Sequence, residues 1–161
     1  MNTAAPVTDF PFAQNFNFPD IFEQPPMDGD VLTALQFMTD QCLPGMLGFK
    51  LESLSREECV ATVDYRKETT GLHGLMHGGT IFAAGDTLTA MMSILLGDEN
   101  TKNVLTTDAS IRYLRPVDAG TVTLKCKVAR QDGQRVYFTC DYYNEAGKRV
   151  ARSKYTYLLV S

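Results

Sequence analysis

The sequence predicts an α+β domain in which an antiparallel sheet curls around one long central helix. The run Gly78–Gly97 is apolar and carries a single charged residue, Asp86. From residue 104 to residue 160, apolar residues recur at about every second position, which is the period of half-buried strands. A sheet of such strands has one face that must be covered, and this run is the only long apolar segment that can cover it.

Composition divides the chain into two regions. Residues 1–27 are rich in proline and phenylalanine and show no hydrophobic period, so we expect an extended N-terminal arm there. Residues 28–161 contain no internal repeat and no further change of composition, which predicts a single domain of ordinary size.

Short elements precede the central helix. Apolar residues at helical spacing predict a helix over residues 28–41, with Asp28 or Asp30 as its N-cap. Residues 46–54 and 58–65 then predict two strands joined by a polar turn.

Four strands are predicted after the central helix, following one another as a meander. Their ranges are 104–114, 121–129, 135–143 and 149–160. The segment 131–134 contains Asp132-Gly133, which is typical of a tight hairpin turn between the second and third of these strands.

The overall charge indicates which partners are excluded. Hydrophobic residues make up 44% of the 161 residues, and the net charge is -4. This balance gives no basic surface of the kind that binds nucleic acid, although a local cluster of Arg and Lys could still hold an anionic small ligand. The N-terminus lacks the basic-then-apolar pattern of a signal peptide, so we expect a cytoplasmic protein.

The cysteines show no metal-binding spacing. They are Cys42, Cys59, Cys126 and Cys140, without a C-x-x-C motif, and the chain has only two histidines, so we expect no metal site. Cys126 and Cys140 lie among apolar residues of predicted strands. We interpret the cysteines as small buried side chains in a reducing compartment.

The central run is long enough to cross a bilayer, at about 1.5 Å of rise per residue. However, Asp86 lies near its centre, where a carboxylate costs roughly 2.5–3.5 kcal/mol in a membrane. The run also contains several threonine and glycine residues. We therefore predict a buried core helix and no membrane span.

Asp86 is the strongest candidate for chemistry. On a helical wheel it shares a small and polar stripe, while bulky apolar residues lie broadly opposite; the stripe also holds Gly79, Phe82, Ala83, Thr89, Ala90 and Ser93. A carboxylate on such a helix needs partners, because an unpaired buried charge is costly. It is either a general base or nucleophile, or an aspartate satisfied by threonine or main-chain donors at an oligomer interface.

The residues before the helix form a second candidate. The N–H groups of Gly78 and Gly79 lie at the predicted helix start, where donors are unpaired and the helix dipole is positive. They could bind a carbonyl oxygen that gains negative charge, or they could form a simple tight turn. His73 and His77 flank this segment and could orient a substrate or be structural.

These motifs resemble a known family. Gly74-Leu75-Met76-His77-Gly78-Gly79, with Asp86 nine residues after His77, is similar to the PaaI-like hotdog-fold acyl-CoA thioesterases. The segment from Thr106 to Pro116 and the following Gly120-Thr121 are similar to their downstream strand and turn. The resemblance covers roughly residues 45–160. No G-x-S-x-G motif, P-loop or dinucleotide fingerprint points to another class.

The resemblance implies a mechanism at particular positions. The Gly78 amide would polarise a thioester carbonyl, and Asp86 from the facing subunit would activate water or attack the carbonyl directly. Thr106 matches a position that helps to hold the attacking water, and His77 would steady the loop. The implied substrate is an acyl-CoA or another acyl thioester. The implied assembly is a homodimer or a dimer of dimers (a homotetramer), with no cofactor beyond the coenzyme A of the substrate.

Further substrate contacts are expected around this centre. They involve His73, His77, Gly79 and Phe82, with Met91 or Met92 beside Phe82 in the acyl pocket. The phosphates of coenzyme A would meet basic side chains among Arg112, Arg115, Lys125 and Arg152.

One position departs from the family pattern. Many members have an asparagine six residues before the motif histidine, where this chain has Gly71, and His73 is the nearest polar side chain. The departure motivates an alternative, a non-catalytic hotdog protein that binds acyl-CoA or lipid. A third reading is a hydroxyacyl-thioester dehydratase that pairs His73 or His77 with Asp86.

Overall fold

The computed structural model describes residues 19–25 and 29–161. The helices are α1 (Val31–Asp40), α2 (Leu43–Met46) and α3 (Gly78–Leu96), and Lys67–Thr69 forms a short 3-10 turn. The strands are β1 (Lys50–Ser53), β2 (Glu58–Asp64), β3 (Asn103–Tyr113), β4 (Thr121–Asp132), β5 (Arg135–Tyr143) and β6 (Arg149–Val160).

The six strands form one antiparallel sheet, and α3 packs on its inner face. The strand order is β1-β2-β4-β5-β6-β3. Leu88, Met92 and Leu95 of α3 are completely buried against inward-facing residues such as Phe138 and Tyr155. The predicted α+β architecture, a sheet around one long central helix, is confirmed.

The predicted meander is wrong at its first strand. β3 pairs with β6, and the free edge of β4 pairs with β2. β2 already occupies that edge of β4, and the chain leaving α3 joins the sheet at the opposite side, beside β6. The segment 114–120 then connects β3 to β4 across the end of the sheet.

Most helices and strands begin and end within a few residues of the bounds predicted from the sequence. Asp30 is confirmed as the cap of α1, since its Oδ1 accepts a hydrogen bond from the Thr33 N–H at 2.8 Å. Asp28 lies outside the described residues. The strand predicted over 46–54 is shorter, because the chain through Met46 forms the helical turn α2.

The N-terminal arm lies largely outside the described residues. Its described part, residues 19–25, contacts the end of α1, where the Glu23 N–H donates to Gln41 Oε1 at 2.7 Å. Gln41 Nε2 donates back to the Glu23 carbonyl at 3.0 Å. The arm over residues 1–27 and the single domain over residues 28–161 therefore stay predictions.

Two of the four cysteines are paired, which corrects their interpretation as separate thiols. Cys126 and Cys140 lie directly opposite each other on β4 and β5 and form a disulfide. The two cysteines are fourteen residues apart in the sequence, and the register of the hairpin brings them together. Hydrophobic alternation does not specify that register. Cys42 and Cys59 are free thiols.

The length and hydropathy of α3 would allow a membrane span, but the helix is packed within the domain. Eleven of its nineteen residues are buried. Thr89 and Ser93, expected on the stripe of Asp86, are among them and donate to the carbonyls of Gly85 and Thr89, both at 2.8 Å. The small and polar stripe of Asp86 is therefore partly buried, at Thr89 and Ser93.

Candidate active site

The Asp86 carboxylate is held by two hydroxyl groups from the sheet. Thr106 Oγ1 donates to Oδ1 at 2.9 Å. The Tyr157 hydroxyl lies 2.6 Å from the same Oδ1 and 2.7 Å from the main-chain oxygen of Asp86. Asp86 itself is half-buried. It has the hydrogen-bond partners that a carboxylate on an apolar helix requires.

The sheet register places both hydroxyls. Thr106 on β3 is directly opposite Tyr157 on β6, and a bulge follows Thr106. Tyr157 is 1% exposed. Its burial, together with the hydrogen bond to Asp86, raises the pKa of the Tyr157 phenol well above its usual value, so the group stays protonated.

A glycine lets α3 approach the sheet next to Asp86. A Cβ at Gly85 would lie 1.9 Å from the Tyr142 hydroxyl and 2.6 Å from that of Tyr155. Tyr155 donates to the Phe82 carbonyl of α3 at 2.7 Å, while Tyr142 pairs with Ser153 Oγ at 2.7 Å. The close approach fixes the position of Asp86 above the sheet.

The start of α3 leaves one of the two predicted amide donors available. His77 is the N-cap, and its Nδ1 accepts a hydrogen bond from the Gly79 N–H at 2.9 Å. The Thr80 N–H donates to the His77 carbonyl at 2.9 Å. Within residues 29–161 the Gly78 N–H has no protein acceptor. Gly78, and not Gly79, is thus the free donor at the positive end of the helix.

An apolar groove of about 440 Å³ adjoins Gly78. Its lining includes Leu75, Ile81 and Leu114. Tyr113 lies on its wall and donates from its hydroxyl to the Gly78 carbonyl at 2.7 Å. Tyr113 was not among the predicted site residues, because its segment was identified only by its similarity to the downstream strand of a family.

The structure does not bring every predicted residue into this centre. His73 is exposed and has no hydrogen bond within the described part of the chain. Phe82 is half-buried with its ring 5.5 Å from that of Tyr155. Met91 and Met92 are buried in the core, which corrects their expected place in an acyl pocket.

Gly71 packs against the motif histidine. A Cβ at Gly71 would lie 3.3 Å from His77 Cδ2, and the Gly71 N–H donates to the Leu75 carbonyl at 2.8 Å. The loop therefore closes over the His77 ring without a polar side chain at position 71. Across the described residues, no three His, Cys, Asp or Glu side chains are grouped to hold a metal ion.

A second groove, of about 550 Å³, lies along β3 and β6 and is basic. Arg112 stands directly opposite Arg152 there, and Arg149 and Lys154 also line it. Asp141 binds Arg152 through two contacts of 2.8 and 2.9 Å and Arg149 at 3.1 Å. Of the four basic residues proposed for phosphate contacts, Arg112 and Arg152 come together here, whereas Arg115 and Lys125 do not line this groove.

Comparison with known proteins agrees with this geometry. The model of the thioesterase superfamily matches residues 73–151, which include His77, all of α3 and Thr106. A candidate esterase of Saccharolobus solfataricus is 25% identical over 107 residues, which are 66% of this chain and 75% of that protein.

Solved structures of thioesterases share the fold. A mutant thioesterase of Pseudomonas aeruginosa superposes with a TM-score of 0.76 at 21% identity, over 80% of this chain and 93% of that chain. The PaaI protein from the phenylacetic acid degradation operon of E. coli gives a TM-score of 0.64 at 24% identity, over 73% and 83% of the two chains. The common architecture is the hotdog fold.

Fold and family match together define a hotdog-fold protein of the thioester hydrolase class. The chain is similar to the thioesterase superfamily over residues 73–151, and it shares the hotdog fold of the PaaI protein.

Proposed function

We propose that the protein hydrolyses an acyl-CoA thioester to the free acid and coenzyme A, with Asp86 as general base or nucleophile and the Gly78 amide as oxyanion donor. The observation that carries the proposal is the Asp86 carboxylate, held by Thr106 and Tyr157 on an otherwise apolar helix. A fixed carboxylate can accept a proton from water or attack a carbonyl carbon. The proposed reaction uses no metal ion and no cofactor.

In the general-base route, Asp86 takes a proton from water as the water oxygen bonds to the thioester carbon. The carbonyl electron pair moves to the oxygen, and the Gly78 N–H stabilises that charge at the positive end of α3. When the intermediate collapses, the C–S bond breaks and the sulfur takes the proton from Asp86. In the nucleophilic route, an Asp86 oxygen bonds to the carbon and the C–S bond breaks, which leaves an anhydride and a thiolate. Water then cleaves the anhydride to the free acid and the Asp86 carboxylate, and a proton from that water goes to the thiolate.

The distance along α3 supports a site shared between two copies of the chain. Asp86 lies eight positions after Gly78, which at 1.5 Å of rise per residue is roughly 12 Å. A carbonyl and its attacking water span only a few ångströms, so the amide of one copy and the carboxylate of another are the better pair.

The exposed edge of β3 supports such a homodimer. β3 is eleven residues long, and no described strand pairs with its outer side. Leu105 and Tyr113 on it are 48% and 50% exposed. A long exposed edge strand with apolar side chains favours pairing with another strand. The dimer of dimers and the cytoplasmic location remain predictions from the sequence.

Coenzyme A is the proposed thiol because of the basic groove on β3 and β6. Arg112 and Arg152 are like charges directly opposite each other, an arrangement that destabilises a sheet unless an anion or a carboxylate lies nearby. Asp141 neutralises Arg152, and Arg112 has no ion pair within the described residues. A phosphate group is the natural ligand for such an unpaired guanidinium.

The acyl group is proposed to occupy the apolar groove beside Gly78. That groove adjoins the free amide, so a carbonyl bound there would have its apolar chain against Leu75 and Leu114. The lining favours an apolar or aromatic acyl group over a charged one.

Release of free thiol from a panel of acyl-CoAs tests the proposal directly. The same acyl groups on pantetheine, which lacks the nucleotide, test the basic groove. We expect Arg112→Glu to raise KM for acyl-CoA and to leave KM for acyl-pantetheine unchanged. Arg135→Glu, an exposed arginine at the far end of β5, is the matched charge control.

The alternative of a non-catalytic acyl-CoA or lipid-binding protein is motivated by Gly71, where the loop carries no side chain to orient a carbonyl. Saturable binding of acyl-CoA without thiol release would support that alternative and contradict the hydrolase. The dehydratase alternative has less support, because Nδ1 of His77 already accepts from Gly79. Elimination of water from a 3-hydroxyacyl thioester would favour it.

A further inference from the structure

The two oxygens of the Asp86 carboxylate have different surroundings. Oδ1 is 2.9 Å from Thr106 Oγ1 and 2.6 Å from the Tyr157 hydroxyl. No described residue donates to Oδ2. One oxygen is thus fixed by two donors from the sheet, and the other retains its lone pairs for a reaction.

Tyr157 is built to act as a donor at this point. The phenol is 1% exposed, and burial keeps it protonated. An ionised carboxylate only accepts hydrogen bonds, so a contact of 2.6 Å requires the phenol proton between the two oxygens. The neighbouring main-chain oxygen of Asp86, at 2.7 Å, holds the hydroxyl over the same residue.

We propose that Tyr157 is a positioning residue which, together with Thr106, fixes Oδ1 of Asp86 and leaves Oδ2 as the oxygen that reacts. This inference rests on the proposed hydrolase function. Oδ2 receives the proton of the attacking water while the water oxygen bonds to the thioester carbon, and it returns that proton to the departing sulfur. Tyr157 touches no reacting atom in these steps.

Tyr157→Phe tests this role, because it removes one oxygen and keeps the buried ring. We expect kcat to fall roughly 10- to 100-fold, since a poorly oriented base loses about this much. KM should stay close to that of the wild type.

Tyr155→Phe is the matched control. Tyr155 is equally buried and donates to the Phe82 carbonyl of the same helix at 2.7 Å, but its contact is not with Asp86. Both variants lose a buried phenol of β6 that donates to a main-chain oxygen of α3, so a merely structural effect would lower Tm and kcat alike in both. Equal losses of kcat in the two variants, or a Tyr157→Phe variant that changes KM and not kcat, would overturn the inference.

Thr106 provides a second test if Tyr157→Phe does not fold. Thr106 is exposed at the edge of β3, so its replacement leaves the core intact. We expect Thr106→Val to lower kcat and Thr106→Ser, which keeps the hydroxyl, to restore most of it; equal activity of the two would count against the inference. Failure of the proposed hydrolase function can be distinguished from failure of this inference. In that case the wild type would release no thiol, and Asp86→Ala would not change the result.

Discussion

Thr106 and Tyr157 face each other across β3 and β6 and place their hydroxyl groups on the same carboxylate oxygen of Asp86. The three residues come from a helix and two strands, far apart in the sequence. The fold thus assembles a fixed carboxylate at the open edge of the sheet, where a second chain can join it.

The Gly78 amide can be removed without removing the helix. Gly78 is the first residue of α3, a position where proline is well tolerated, and His77 before it has the extended conformation that proline favours. We expect Gly78→Pro to lower kcat by about 10²- to 10³-fold, as for loss of an oxyanion donor. Thiol release under saturating substrate measures this.

Gly78→Ala is the control for that experiment, because it keeps the N–H. Its Cβ would lie 2.8 Å from the Tyr113 hydroxyl, the far end of a half-exposed side chain that can move. Equal activity of the alanine and proline variants would show that the amide is not used.

Gly85→Ala should destabilise the protein although alanine is the better helix former. The new Cβ would overlap the Tyr142 hydroxyl at 1.9 Å. We expect the free energy of unfolding to fall by about 1–3 kcal/mol, as for overpacking of a core, where an exposed helical site would gain roughly 1 kcal/mol. Denaturant unfolding measures the change. Tyr142→Phe in the same chain removes the overlapping oxygen and should restore part of the loss; a stabilised single variant would refute this packing.

Thiol titration tests the Cys126–Cys140 disulfide. Without reductant, the denatured protein should show two reactive thiols, Cys42 and Cys59, and after reduction four. In the native protein, burial raises the pKa of Cys59 to about 12, so this thiol should react slowly at neutral pH. Four thiols before reduction would mean that the pair is not oxidised in solution.

The ion pair around Asp141 should contribute stability that depends on pH. Burial raises the pKa of this carboxyl, but the hydrogen bonds and charges of Arg152 and Arg149 outweigh it and hold the pKa below the usual value. The stabilisation is therefore complete above about pH 4, the unfolded value, and is lost as pH falls through the lower folded value.

Asp141→Asn should accordingly be less stable than the wild type near pH 7, and the difference should narrow below about pH 4. Chemical denaturation at several pH values measures it. Asp118→Asn, at an exposed aspartate without an ion pair in the described part of the chain, is the control. A difference that does not vary with pH would contradict the assignment to this ion pair.

Sequence patterns predicted the central helix and Asp86 because both are local properties: an apolar run and one charge within it. They did not predict Tyr157, since its place in the alternation of β6, beside Tyr155 and Leu159, is that of an ordinary core residue. Its contact with Asp86 joins residues 71 positions apart and exists only in the folded chain.

The strand order was mispredicted for a related reason. Alternation shows which face of a strand is buried, but it does not identify the neighbouring strand. The position of β3 depends on the path of α3 across the sheet and on β2 already pairing with β4. The same limit hid the Cys126–Cys140 contact, which follows from the register of β4 and β5.

Turnover of acyl-CoA by Asp86→Ala tests most directly whether the Asp86 carboxylate performs the hydrolysis. We expect kcat to fall by about 10²- to 10⁴-fold, the usual contribution of a general base. The fold should persist, because Asp86 is only half-buried and the core beneath it is unchanged, and circular dichroism checks this. A folded Asp86→Ala variant that releases thiol at nearly the wild-type rate would contradict the account.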